Sequence, residues 1–164
     1  MPKIRQSSRE VALSKAEVLI EALPWMRQWS GATIVIKYGG SAMENSELRS
    51  KVLEDILLLK LRGVRVVLVH GGGKAISSLM QKLGLEVSFK KGMRVTDDAT
   101  MQAVQMALVG QVNTSLVEAL NKFGRYAVGL TGADGCTLRA EPLDLSLGRV
   151  GKICKVNVEL IETT

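Results

Sequence analysis

Two glycine clusters mark where this sequence can do chemistry. The first closes the run Thr33-Ile34-Val35-Ile36-Lys37-Tyr38 with Gly39-Gly40-Ser41. The second closes Val66-Val67-Leu68-Val69-His70 with Gly71-Gly72-Gly73-Lys74. Each follows an apolar, β-branched stretch and precedes a helical pattern. Glycines at such a junction let backbone N–H groups approach an anion closely, and the start of the next helix adds partial positive charge. One loop of this kind is a weak signal. Two in one small chain, the first with a lysine on its strand, point to a phosphoryl group handled between them.

Lys37 falls at the end of its strand run, where a lysine is costly unless it meets a negative group. Ligands of open parallel sheets bind beyond the carboxyl ends of the strands, and Lys37 and both glycine loops fall there. Its ammonium is read as neutralising a transferring phosphoryl group; the plainer reading is a snorkelling surface lysine. Gly39, Gly40 and Gly71-Gly72-Gly73 are read as anion cradles, without the spacing of a P-loop. Lys74 is expected to point to solvent. His70 is assigned a structural role, because a phosphoryl acceptor that is already a carboxylate needs no base. Arg94, between Met93 and Val95, suits bidentate recognition of a carboxylate, and equally an ion pair with Asp97 or Asp98. Asp134, in the loop Thr131-Gly132-Ala133-Asp134-Gly135, reads as a turn residue rather than a metal ligand.

The elements that must position these residues follow from the periodicity. Residues 8–29 read as a helix with Ser8 as its cap, kinked or divided by Pro24. It packs either on its own domain or on another subunit. Residues 33–38 and 65–70 read as buried parallel strands. Residues 44–62, closed by Gly63, and residues 73–83, ended by Gly84, read as the helices that follow them. This β-α-β-α order predicts an α/β fold with right-handed crossovers. Residues 86–95 read as a short β-hairpin or paired strands. Helices are expected over 97–109 and 111–123, a third core strand over 126–130, and two further strands over 136–141 and 150–156. Asn157 then caps a helix that begins at Val158.

Composition excludes several classes. The chain has 164 residues, 46% hydrophobic and 23% charged, so a folded domain with a real core is expected. The net charge of +6 raises nucleic acid as a partner, but the basic residues are dispersed and aromatics make up only 4%. A solvated basic surface or a polyphosphate or dicarboxylate ligand remains. A single histidine and no cysteine cluster argue against a zinc site. Cys136 and Cys154 are expected to be buried free thiols in a reducing cytoplasm. The first residues show no signal peptide, and no apolar run is long enough to span a bilayer.

Ile36-Lys37-Tyr38-Gly39-Gly40-Ser41-Ala42-Met43, Val69-His70-Gly71-Gly72-Gly73 and Gly92-Met93-Arg94-Val95-Thr96-Asp97 occur in the order and spacing of the acetylglutamate kinases. Gly129-Leu130-Thr131-Gly132-Ala133-Asp134-Gly135 and Val156-Asn157 extend the likeness over nearly the whole chain. The first motif alone would admit aspartokinase; the third narrows it. The chain therefore resembles the amino-acid kinase family, in its acetylglutamate kinase branch. The resemblance implies a three-layer α/β/α sandwich with a mainly parallel sheet. It implies phosphorylation of the γ-carboxylate of N-acetyl-L-glutamate by MgATP, a step of arginine biosynthesis. Lys37 would match the family's transition-state-stabilising lysine, and Gly72 and Gly73 its acyl-glutamate-binding backbone. Gly39, Gly40 and Gly71 would lie near the phosphoryl groups, and Arg94 would hold the substrate's α-carboxylate.

The resemblance further divides the chain into a helix over 1–30, which in arginine-inhibited relatives interlaces dimers into a hexamer, and a substrate-binding domain over 31–164. The nucleotide-binding half of the family is expected to be absent. What remains should therefore expose an apolar sheet edge or face. The competing expectations are a non-catalytic module that binds N-acetylglutamate or assembles through its first helix, and a truncated reading frame with no separate role. No nucleic-acid or membrane partner is expected.

Overall fold

The computed structural model describes residues 2–164. It begins with one long helix, α1 (Pro2–Trp29), which runs through Pro24 and extends back past Ser8. Ser8 is thus inside the helix and not its cap. Strand β1 (Thr33–Tyr38) follows, then a single turn α2 (Ser41–Glu44) and the helix α3 (Ser46–Leu61). The helix expected over 44–62 is therefore interrupted at its start. Asn45 accounts for this: its Oδ1 accepts from the N–H groups of Glu47 at 2.9 Å and Leu48 at 3.0 Å, capping a new helix instead of continuing the old one. Strand β2 (Arg65–His70) and helix α4 (Gly73–Lys82) complete the first repeat.

Helices α3 and α4 close in the same way. The N–H of Gly63 bonds Lys60 O and that of Val64 bonds Leu59 O; the N–H of Gly84 bonds Gln81 O and that of Leu85 bonds Met80 O. The exposed carbonyls of both last turns are thereby satisfied.

β1 and β2 pair in parallel, in register from Thr33 opposite Arg65 to Tyr38 opposite His70. One face of this pair carries Ile36, Val66 and Leu68 into a core with Tyr38, Leu53, Ile56, Leu116 and Leu120, covered by α3 and α6 (Thr114–Asn121). On the other face Val35 is 65% exposed and Val69 50% exposed. A second core joins Ile76 and Met80 of α4 to Ala103 and Ala107.

The rest of the chain is built on this frame. Strands β3 (Phe89–Lys90) and β4 (Met93–Arg94) form the expected antiparallel hairpin. Its turn residues Lys91 and Gly92 both have positive φ, the signature of the tight turn that matches strand twist. Helix α5 (Asp98–Gln105) is capped by Asp97, whose Oδ1 accepts from Thr100 N–H at 2.7 Å. The chain then continues without a break through a π-helical stretch, Met106–Asn113, into α6. The two helices expected over 97–109 and 111–123 are thus one rod, and Gly110 does not divide it.

The third core strand expected over 126–130 carries no ladder among the described residues. Asn121 has taken its bonding groups: its Oδ1 accepts from the N–H of Tyr126 and of Ala127, and its Nδ2 donates to Ala127 O. Strands β5 (Leu138–Pro142) and β6 (Gly151–Val156) pair antiparallel as a hairpin exposed on both faces, and α7 (Glu159–Thr163) follows. Cys136 and Cys154 are free but exposed, against the expected burial: Cys154 lies on this uncovered hairpin and Cys136 in the turn just before it.

The Thr100 N–H and hydroxyl bonded to Asp97 favour its anion and hold its carboxyl below the usual carboxylate range. A carboxyl depressed in the fold stabilises it above the ordinary value of about 4 and loses that contribution as pH falls through the depressed value. Urea unfolding between pH 6 and pH 2 should show stability falling below about pH 4, with a shallower fall in Asp97→Asn, which keeps a capping oxygen but cannot titrate. Equal slopes would contradict the assignment.

Candidate active site

The parallel ladder brings both glycine loops to the same edge. The N–H of Gly71 donates to Tyr38 O at 3.1 Å, so the second loop is tied to the end of the first strand. Between the loops lies a cleft of about 410 Å³, lined by Lys37, Gly39, Gly40, Gly71, Gly72 and Gly73. Six of the seven site residues expected from sequence therefore share one cavity. Its size suits a small metabolite and phosphoryl groups.

Gly72 shows why the second loop needs its glycine. A Cβ there would stand 2.5 Å from Leu108 Cδ2 and 3.2 Å from Val112 Cγ2. Both belong to the π-helical stretch, whose wider turn pushes these side chains against the loop. Such stretches are rare and occur often at functional sites.

The cleft holds cations that sequence reasoning did not select. Arg49 of α3 lines it, with Nη2 donating to Ser115 O and Ser115 Oγ, each at 3.1 Å. Lys74 also lines it and forms an ion pair with Glu44, joining the helix after one loop to the turn after the other. Among the described residues that pair leaves Lys37 and Arg49 in the cleft without a carboxylate partner. Arg49 was hidden in sequence as one of several cations on an amphipathic helix. Its position depends on Ser115, 66 residues later. Burial pushes the Tyr38 phenol up, with Arg49 opposing it, and the hydroxyl donates to Ala42 O at 2.8 Å.

Arg94 is not in the lining of this cleft. It lies against the first turns of α4, where Nη2 donates to Ser77 Oγ at 2.8 Å and to Gly73 O at 3.3 Å. Nη1 contacts Met80 Sδ at 3.2 Å, and the guanidinium stacks 4.7 Å over the Phe89 ring. The ion pair weighed with Asp97 or Asp98 is not made; Asp98 bonds Arg149 instead, at 2.6 Å. Arg94 is therefore a half-buried, well-held cation with no carboxylate partner among the described residues. His70 turns its Nδ1 to Gly71 O at 3.0 Å, a loop contact. Asp134 Oδ2 accepts from Thr131 N–H at 2.6 Å and Thr131 Oγ1 at 2.9 Å, which holds its carboxyl below the usual range and its own loop closed.

Residues 32–164 match the model of the amino acid kinase family. The chain belongs to the amino acid kinase family. An acetylglutamate kinase of Caldanaerobacter subterraneus subsp. tengcongensis is 49% identical over 162 residues, 97% of this chain and 54% of that protein. Among solved structures, smu.665 from Streptococcus mutans UA159 has a TM-score of 0.72 at 33% identity, covering 80% of this chain and 53% of that one. N-acetylglutamate synthase from Neisseria gonorrhoeae, complexed with coenzyme A and N-acetyl-glutamate, has a TM-score of 0.69 at 29% identity, covering 88% of this chain and 34% of that one. This member of the amino acid kinase family thus spans about half the length of the curated relatives it matches.

The two unpaired cations should bind a polyphosphate anion. Lys37→Met and Arg49→Met should each weaken pyrophosphate binding, measured by calorimetry at low salt, by roughly five- to tenfold, as expected for charge-assisted bonds partly open to water. Lys82→Met, at the far end of α4, serves as the control. Equal loss in all three variants would mean that only net charge is being read.

Proposed function

We propose that this chain supplies the acyl-glutamate-binding and phosphoryl-binding half of an acetylglutamate kinase. The reaction is transfer of the γ-phosphoryl group of ATP to the γ-carboxylate of N-acetyl-L-glutamate. A carboxylate oxygen attacks the γ-phosphorus, the bond from that phosphorus to the β,γ-bridging oxygen breaks, and ADP leaves with the electron pair. Magnesium enters as part of the nucleotide substrate. The acceptor is already an anion, so no base is required, and the protein's work is positioning and charge neutralisation. The observation that carries the reading is the division of cations: Lys37 and Arg49 at the glycine cleft, and Arg94 across the Gly73 turn. One group addresses phosphoryl oxygens and the other a carboxylate at the opposite end of a small diacid. The identity to acetylglutamate kinases supports the choice of substrate.

No helix among the described residues is long and apolar enough to cross a membrane. A biosynthetic kinase working on small acids and ATP fits the cytoplasm, and we place it there.

The test is calorimetry with N-acetyl-L-glutamate, alongside ADP release with MgATP present. The chain should bind N-acetyl-L-glutamate saturably, and Arg94→Ala should weaken binding about tenfold or more, the worth of a hydrogen-bonded charge. ADP release that requires N-acetyl-L-glutamate and is lost in Lys37→Ala would show that the chain alone, or its oligomer, completes a nucleotide site. Absence of any N-acetyl-L-glutamate binding would sink the reading.

A second element of the proposal concerns α1. Val11, Leu19 and Ile20 are 51%, 61% and 64% exposed, and the rings of Trp25 and Trp29 meet at 6.2 Å, tilted by 47°, on an open surface. Near its end the helix meets α3 through Arg62 Nη2 and Met26 Sδ at 2.9 Å. So many uncovered apolar side chains on one helix support self-association through α1, as expected of an oligomeric kinase. Sedimentation at micromolar concentration should show an oligomer that dissociates in Leu19→Glu/Ile20→Glu; a monomeric wild type would count against it.

A further inference from the structure

The β5–β6 hairpin is an unusual investment of chain. Every residue of both strands is exposed, so the hairpin buries neither face. Its burial is concentrated at the tip, where Leu147 is only 1% exposed. That tip is docked on the segment just after Arg94. Thr96, itself 5% exposed, donates its N–H to Leu147 O at 2.9 Å and accepts from Arg149 N–H at 2.6 Å. The two segments run as a short parallel bridge between Thr96 and Gly148.

Two side-chain contacts flank the bridge. Lys90 Nζ of β3 donates to Ser146 Oγ at 2.6 Å, and Arg149 Nε pairs with Asp98 Oδ1 at 2.6 Å. The tip therefore grips the Arg94 ribbon before and after the arginine. The grip reaches Arg94 itself, because Thr96 Oγ1 donates to Arg94 O at 3.0 Å. Val95 N–H is fixed from the other side by Ser88 O at 3.0 Å. Gly148 makes the approach feasible: its φ is +69°, and a Cβ there would overlap the Thr96 carbonyl oxygen.

We propose that the Ser146–Arg149 tip is a positioning clamp for Arg94, setting the backbone from which its guanidinium reaches a substrate carboxylate. The proposal rests on the reading of Arg94 as the α-carboxylate's partner. The clamp acts through Thr96 and touches no substrate. It converts an arginine on a two-residue strand into a fixed donor pair, which bidentate recognition of a carboxylate requires.

The experiment compares two ligands on the full chain: N-acetyl-L-glutamate, and 4-acetamidobutyrate, which keeps the amide and the terminal carboxylate but lacks the α-carboxylate. Gly148→Ala breaks the close approach, while Thr96→Val keeps the side-chain shape and removes only the bond to Arg94 O. In calorimetry, Gly148→Ala should lose about tenfold in affinity for N-acetyl-L-glutamate, the scale of a misplaced charged donor, and Thr96→Val should lose less. Affinity for 4-acetamidobutyrate should be unchanged in both. Parallel loss of both ligands, or loss of neither, would overturn the clamp.

Amide hydrogen exchange without ligand keeps the two readings separable. The clamp requires faster exchange at Val95 and Thr96 in Gly148→Ala, with the amides of α3 unchanged. If the wild type binds no N-acetyl-L-glutamate, the substrate reading falls and this exchange pattern still decides the clamp. Unaltered exchange at Val95 and Thr96 would refute it.

Discussion

The site depends on one constraint, the in-register parallel ladder between β1 and β2. Side chains alternate faces along a strand, so a slip of one residue would exchange the two faces of β1. Tyr38 would leave the core it shares with Leu53 and Leu116, and Lys37 would be driven into it. The register that buries Tyr38 is thus the register that holds Lys37 outside. The final pair, Tyr38 with His70, brings both glycine loops to one level, and the Gly71 N–H extends the ladder by a bond. The proposed anion cradle needs both loops at this height.

What was legible in the sequence is what local chemistry determines. A β-branched run followed by glycines and a helical period gives a strand, a loop and a helix with little help from the rest of the chain. The short hairpin within residues 86–95 was legible for the same reason. The residues that could not be read owe their roles to distant partners. Arg49 becomes a cleft cation because Ser115 holds it. Residues 126–130 have the composition of a core strand, yet Asn121 captures the N–H groups a ladder would use. The π-helical stretch has no compositional signature, since it differs from an α-helix only in which carbonyl each N–H selects. The exposure of Cys154 follows from an uncovered hairpin, which no local pattern announces.

The uncovered surfaces share a physical logic. Parallel sheets normally carry helices on both faces, because their strands are apolar on both. Here Val35 and Val69 lie open on one face, while α3 and α6 cover the other. α1 presents a second open apolar surface with no sheet beneath it. Both surfaces leave large apolar side chains open among the described residues. The glycine cleft lies at the carboxyl end of these two strands, lined by residues of both loops, α3 and α6.

The proposed reaction explains why this cleft is furnished with cations and not with a base. Joining a carboxylate to a phosphoryl group brings two anions together. At about 4 Å, a pair of unit charges repels by about 4 kcal/mol at an effective dielectric of about 20. That is nearly three powers of ten in rate, comparable with what a general base contributes to other reactions. A base would add nothing here, since the acceptor has no proton to lose. Under the proposed reaction Lys37 and Arg49 would oppose the repulsion directly, and the Lys74–Glu44 pair, which neutralises the cleft's carboxylate internally, would leave them free to do so. Arg94, held across the Gly73 turn, would bind the substrate's other carboxylate and fix the acceptor's distance from that charge. Positioning and neutralisation would then be a single device, because the turn proposed to cradle the phosphoryl group also accepts a hydrogen bond from the arginine.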